Sequence, residues 1–237
     1  MGKIDDIQAY KEWTEYHRSL KRDKAADNLS PVERKKKLEK LEANVIEWIL
    51  FFFSEFAKYP FTKFHKKAIK RITTNMEWYE VLSWSRELAK STIVFMCMMY
   101  LVLTGKKKNV LLISNSHENA VRLLEPYKKA FESNSMLKAY YGDLREFGSW
   151  TADEFTLTTG ATFRAIGALE SPRGTRKDAV RPDTALVDDF DTDADCRNPD
   201  ILKKKWEWFE EALFPTRSIS EDLLVIFCGS LIAIDCS

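Results

Sequence analysis

Hydrophobic positions along this chain follow two periods, one near 3.6 residues and one of two, and the switches between them mark out its elements. Residues 1–29 are polar, with Tyr10, Trp13 and Tyr16 as anchors, and predict a short helix followed by a loop. Ser30 then stands as an N-cap, Pro31 in the first helical position and Glu33 three residues past the cap, a capping box that starts a helix at Pro31. Leu38, Leu41, Val45, Trp48, Ile49 and Phe52 recur at helical spacing and extend that helix until Pro60 ends it. Its first half is a basic run, either a solvated face or a surface for nucleic acid or a neighbouring subunit. A further short helix, PFTKFHKKAIKRI, carries Lys63, Lys66, Lys67, Lys70 and Arg71.

From residue 77 the period changes. Trp78, Val81 and Leu82 set among polar residues suit a strand over 77–84, and the apolar run over 93–103 suits a buried helix. Gly105 closes that helix, with Lys106, Lys107 and Lys108 at the negative end of its dipole. NVLLIS reads as a buried strand, and SNSHENA as the start of a helix capped by Ser114 or Ser116 and running to about Ser133. EFTLTT and ATFRAIGA can pair as a hairpin around Thr159-Gly160, and TALVDDF is a further strand. ILKKKWEWFEEALFPT is helical, with Leu202, Trp206, Phe209 and Leu213 on one face, and EDLLVIFCGS is another buried strand. Alternating strands and helices predict an α/β domain over 59–237, with a mainly parallel central sheet flanked by helices, behind a helical extension over 1–58.

The totals narrow the class. A chain of 237 residues with 45% hydrophobic residues can bury a substantial core, which excludes bulk disorder. A net charge of +1 argues against a uniformly basic coat for nucleic acid. Cys97, Cys196, Cys228 and Cys236 show no C-x-x-C spacing and read as free thiols, and His17, His65 and His117 are too scattered for a zinc site. The N-terminus has no apolar signal core and the longest apolar run is too short for a bilayer, so a soluble cytoplasmic protein is expected.

Candidate chemistry concentrates in the strand, turn and helix of residues 76–92, MEWYEVLSWSRELAKST, which has the layout of a phosphate-binding loop. In the pattern G-x-x-x-x-G-K-[ST], backbone N–H groups surround phosphates, the lysine reaches the β/γ phosphates and the hydroxyl ligates Mg²⁺. Lys90 and Ser91 fit, while Trp84 and Ala89 replace the two glycines; the plain alternative is an ordinary first helical turn. TALVDDFD ends a strand in two acids, which would place Asp188 on a metal and Asp189 on an attacking water. A solvated acidic loop is the alternative there, because Asp191, Asp193 and Asp195 continue the run. Arg173, Arg176, Lys177 and Arg181 form a basic loop suited to phosphates of nucleic acid or of a nucleotide on an adjacent subunit. His65 or Lys66 could hold an adenine base, and Ser230 could sense a γ-phosphate from the end of the last strand.

The order of these segments resembles the ATPase half of the large terminase subunit of tailed bacteriophages, a motor that packages viral DNA, over roughly residues 55–237. The resemblance implies a P-loop NTPase fold with ATP and Mg²⁺ as ligands. Ser85, Arg86, Glu87, Leu88, Ala89, Lys90, Ser91 and Thr92 would form a deviant Walker A, with Arg86 acting on the γ-phosphate and Lys90 stabilising the transferred group. Leu186-Val187-Asp188-Asp189 is similar to the Walker B strand, and Cys228-Gly229-Ser230 looks like the motif coupling hydrolysis to DNA movement. His65 falls near the adenine-contacting motif, where the family usually has Gln. Ala89 in place of glycine and Asp189 in place of the commoner Glu depart from the pattern and point to a slow or partner-dependent ATPase. Implied partners are double-stranded DNA, a portal protein and a small terminase subunit, with the chain as a monomer in isolation or a homo-oligomeric ring on the procapsid. The host cytoplasm is the implied compartment, with no membrane. No carboxylate cluster remains for a nuclease, so no DNA cleavage is expected. A helicase-like or restriction-type translocase, and a non-hydrolysing nucleotide- or DNA-binding adaptor, are the alternatives.

Overall fold

The computed structural model describes residues 29–57, 59–85, 87–172, 181–217 and 222–229. The helix expected within residues 1–29 falls almost wholly outside them. Seven strands form one sheet in the order β1-β7-β6-β2-β5-β4-β3. They are β1 (Trp78–Ser83), β2 (Asn109–Ser114), β3 (Arg145–Trp150), β4 (Glu154–Leu157), β5 (Thr162–Gly167), β6 (Thr184–Asp188) and β7 (Leu224–Gly229). The pairs β1·β7, β7·β6, β6·β2 and β2·β5 are parallel, while β4 runs antiparallel to both β5 and β3. The predicted hairpin therefore forms between β4 and β5.

Side-chain alternation divides the strands between two cores. Val110, Leu112, Leu186, Leu224 and Ile226 face one side, where they meet α1 (Pro31–Glu42), α2 (Val45–Phe53), α3 (Lys63–Thr74), α4 (Lys90–Leu103), α5 (His117–Ser133) and α6 (Ser135–Tyr141). Leu111, Ile113, Ala185, Val187 and Val225 face the other, against Phe209 and Leu213. These two follow α7 (Pro199–Glu207), in a π-helical stretch, Trp208–Leu213, that continues it. Helix α4 is buried continuously from Ile93 to Val102, which explains why its sequence shows no polar face. It is walled in by other elements on every side.

Several features differ from or add to the sequence reading. The long helix is two, because Asn44 takes an extended backbone and its side chain accepts from the N–H groups of Ile46 and Glu47, capping α2 anew. Its core residues Trp48, Ile49 and Phe52 pack with α4 in the same cluster as the sheet, although they lie in the stretch expected as an extension. Lys107, expected near the negative end of the helix dipole, is also buried, and its Nζ donates to the carbonyls of Met76 at 2.9 Å and Asp222 at 2.7 Å. Trp206 stacks on Phe209 at 5.6 Å, as the shared face predicts, yet remains 42% exposed, while Lys205 beside it is buried. Strand β3 and helix α6 were not foreseen. Cys97 and Cys228 are free and buried, whereas Cys196 is disulfide-bonded, contrary to the expectation of a free thiol. Among the described residues no helix is long and apolar enough to cross a membrane.

Candidate functional site

Strand register brings the scattered motifs to one level at the C-terminal end of the sheet. Leu82 pairs with Cys228, Cys228 with Asp188, and Ser83 with Gly229, so the loop after β1 stands beside the ends of β7 and β6. Open α/β sheets bind ligands at this end.

The loop of residues 84–89 is held from below by α3. The Trp84 ring, at the position where a glycine was expected, packs 5.0 Å from Phe64 and 5.4 Å from His65. An aromatic anchor thus fixes the turn. His65 accepts the Thr62 N–H at Nδ1 (3.3 Å), which leaves its Nε2–H to donate to the Leu88 carbonyl at 3.1 Å. Burial lowers its pKa, partly offset by that contact, and both features fit a neutral ring. With both nitrogens engaged inside the protein, His65 braces the loop, while Lys66 is exposed. The loop ends with Ala89 at φ +55° and ψ +27°, a left-handed conformation, and Glu87 is also left-handed at φ +69°. A side chain in that region costs about 1–2 kcal/mol. Glycine would relieve the strain at the position where the phosphate-loop pattern has it.

Beyond Ala89, the first turn of α4 reaches across the sheet. Lys90 Nζ donates to the Gly229 carbonyl and, at 3.5 Å, to that of Trp84. Ser91 Oγ donates to Asp188 Oδ2 at 2.8 Å, joining residues 97 apart in sequence. Burial raises the Asp188 carboxyl to a pKa of about 6; the Ser91 hydrogen bond and the charge of Lys90 pull it down, and Asp189 pushes it up. Asp189 itself is exposed, with φ +46°. Its N–H donates to the Cys228 carbonyl and its carbonyl accepts from the Asn115 N–H, both at 3.2 Å. Cys228 and Gly229 therefore touch the lysine side and the acid side of the site through their carbonyls. The Cys228 thiol is buried, which pushes its pKa well up and leaves it unreactive.

The acidic run after Asp189 is not a loose solvated loop at its start. Buried Lys205 donates to the Phe190 carbonyl and to Asp195 Oδ2, each at 2.6 Å, and lies 3.8 Å from Asp191. Burial would raise the Asp195 carboxyl, but hydrogen bonds from Lys205 and Thr192 outweigh it and hold it below its ordinary value. This clamp fixes the chain that carries Asp189. Neither Lys205 nor Asn115 was singled out by sequence, since each acts on a backbone position far from it in the chain. On the side of β5, Glu170 accepts from the Gly167 N–H at 2.9 Å and contacts His117 at 3.1 Å. A Cβ on Gly167 would come 2.5 Å from the backbone nitrogen of His117, so this crossing needs glycine.

Of the residues singled out from sequence, Lys90, Ser91, Asp188, Asp189, Cys228 and Gly229 meet at one place. Ser85 and Leu88 are exposed on the loop, and Thr92 is half-buried in the first turn of α4. Arg181 is exposed, while Arg86, Arg173, Arg176, Lys177 and Ser230 lie outside the described residues. No protein-family model matches this chain, and a search of curated proteins finds no match either.

Proposed function

We propose that this chain is a Mg²⁺-dependent P-loop ATPase, the motor domain of a terminase large subunit that drives double-stranded DNA into procapsids. The observation that carries the reading is the Ser91 to Asp188 hydrogen bond, made while the neighbouring Lys90 spans to the end of β7. Three segments chosen for phosphate, metal and coupling chemistry share one end of one sheet. The order of motifs along the chain supports the terminase assignment.

A hydroxyl and a carboxylate are hard oxygen donors of the kind Mg²⁺ takes. The fit rests on Asp188, whose burial disfavours its own charge, so that a divalent cation there would relieve it. Ser91 and Asp188 would hold the ion, which supplies charge neutralisation on the phosphates. Lys90 would exchange its carbonyl partners for phosphate oxygens, and backbone N–H groups of the loop would hold the rest. Asp189 would orient water for attack on the γ-phosphorus, as the bond from that phosphorus to the bridging oxygen of ADP breaks. Lys205 and Asn115 would keep Asp189 in place.

Turnover of ATP with and without duplex DNA tests this. DNA should stimulate phosphate release, and Lys90→Ala should abolish it with the circular dichroism spectrum kept; unchanged turnover in that variant removes the assignment. The left-handed strain at Ala89 favours one second reading, a nucleotide-binding adaptor without hydrolysis. ATP binding by calorimetry, with no phosphate released in the presence of DNA, would select it.

A further inference from the structure

Helix α3 has two faces with different tasks. Ala68, Ile69, Ile72 and Thr73 are buried, and His65 and Phe64 reach the loop between β1 and α4. The opposite face carries Lys63, Lys67 and Lys70, all exposed, at spacings of four and three residues. Such spacing lines side chains in one row about 10 Å long. The 12 residues of α3 include no Asp or Glu, so no carboxylate on the helix can pair with the row. Among the described residues none of the three lysines forms an ion pair.

The basic run of α1 is different. There Glu33, Glu39 and Glu42 interrupt the lysines, and Lys37 lies over the Phe51 ring at 4.6 Å. That run has the mixed signs of a solvated helix face. The row on α3 is of one sign only.

We infer that the Lys63, Lys67 and Lys70 face of α3 is a contact surface for the phosphate backbone of duplex DNA. A duplex offers a negative charge about every 1.7 Å of axis, and each lysine that neutralises a phosphate releases a counterion. Lysine is depleted from protein–protein contact surfaces, which argues for a nucleic acid over an acidic protein as the occupant. Placement adds a consequence. The helix that carries the row also carries Phe64 and His65, which hold Trp84 and Leu88, so a duplex bound on one side of α3 bears on the loop held by the other. The inference rests on the proposed motor function for the choice of duplex DNA and for the coupling to ATP; the charge row itself does not depend on it.

The test measures binding of a fluorescent duplex of about 30 base pairs by anisotropy over a range of salt concentrations. It compares the wild-type chain with a Lys63→Ala, Lys67→Ala, Lys70→Ala triple variant, and with a Lys35→Ala, Lys36→Ala, Lys40→Ala triple on α1 that loses the same charge. The α3 variant should bind at least tenfold more weakly at low salt, and its slope of log affinity against log salt should shrink by about 2 to 3. The α1 variant should lose less than half as much on either measure. Equal losses in the two variants, or wild-type binding by the α3 variant, overturn the inference. ATP affinity measured without DNA separates the two proposals. If no variant and no wild-type chain binds ATP, the ATPase reading fails while the anisotropy result still decides the surface.

Discussion

The two ends of the sheet solve the same problem with the same residue types and reach opposite results. At the N-terminal end Lys107 donates to the carbonyls of Met76, just before β1, and Asp222, just before β7. At the C-terminal end Lys90 donates to those of Trp84, just after β1, and Gly229, the last residue of β7. Each lysine spans the same two strands. Each end also has an aspartate flanking or ending β6: Asp183 accepts from the N–H groups of Lys108 at 2.6 Å and Asn109 at 3.1 Å, and Asp188 accepts from Ser91. Burial raises both carboxyls. The difference lies in what else is there. The N-terminal end is closed, with Lys107 only 2% exposed and Asp183 8%. The C-terminal end is open and holds four non-glycine residues in left-handed conformations, Glu87, Ala89, Leu169 and Asp189. Strain and solvent access gather at the end where open α/β sheets bind ligands, and buried polar groups with partners gather at the other.

Exchanging the roles of the two lysines would give the largest effect. On the proposed ATPase reading, which gives Lys90 the transferred phosphate, Lys90→Met should lower ATP turnover to about a thousandth or less while the melting temperature holds. Lys107→Met should do the reverse, costing about 1–3 kcal/mol because the partly buried Met76 and Asp222 carbonyls lose their donor. Melting curves and turnover on the same samples check this. Loss of turnover per folded molecule in Lys107→Met would break the division.

Asp188→Asn is the next in size and separates function from stability. A carboxyl raised in the folded state favours folding while it is protonated, so its contribution is whole below about pH 3.8 and is lost as pH rises through about 6. With a chelator present, the asparagine variant should therefore be more stable than wild type above pH 6, by about 2 kcal/mol after allowance for partial exposure. The advantage should shrink as pH falls and vanish below about pH 4. A pH-independent difference would show that burial of the charge is not the cause.

Ala89→Gly is the smallest change. Removing the Cβ from a left-handed position should add about 0.5–1 kcal/mol, net of the extra freedom glycine has when unfolded. The melting temperature should rise by about 2 °C, and a fall would mean that Ala89 is not strained.

Much of the fold could be read from the chain because most strands and helices carry their own period. NVLLIS, TALVD and LVIFCG are short apolar runs, and α4 is a long one. Strand β3 escaped because its residues are exposed or half-buried at every position, leaving no alternation to read. The break at Asn44 escaped because the apolar spacing passes through it without a change of phase. The burial of Lys107 and Lys205 could not be read because their partners lie off their own elements: the Met76 and Asp222 carbonyls for one, and the Phe190 carbonyl and Asp195 carboxylate for the other. In the candidate site, Lys90, Ser91 and Asp188 were legible as motif residues with local chemistry. What was not legible was the support: the aromatic seat of Trp84, the brace from His65 and the clamp from Lys205. These are tertiary contacts.

Strand β7 lies between β1 and β6 but follows both in the chain. During synthesis the chain appears N-terminus first, so β1 and β6 are both made while the place between them is empty, a slot about 10 Å wide from strand to strand. Only when residues 224–229 leave the ribosome can Lys90 find the Gly229 carbonyl and Asp189 that of Cys228. Whatever this end of the sheet binds, a nascent chain cannot bind it in the same way. Docking of this one strand thus completes both the lysine side and the acid side of the site.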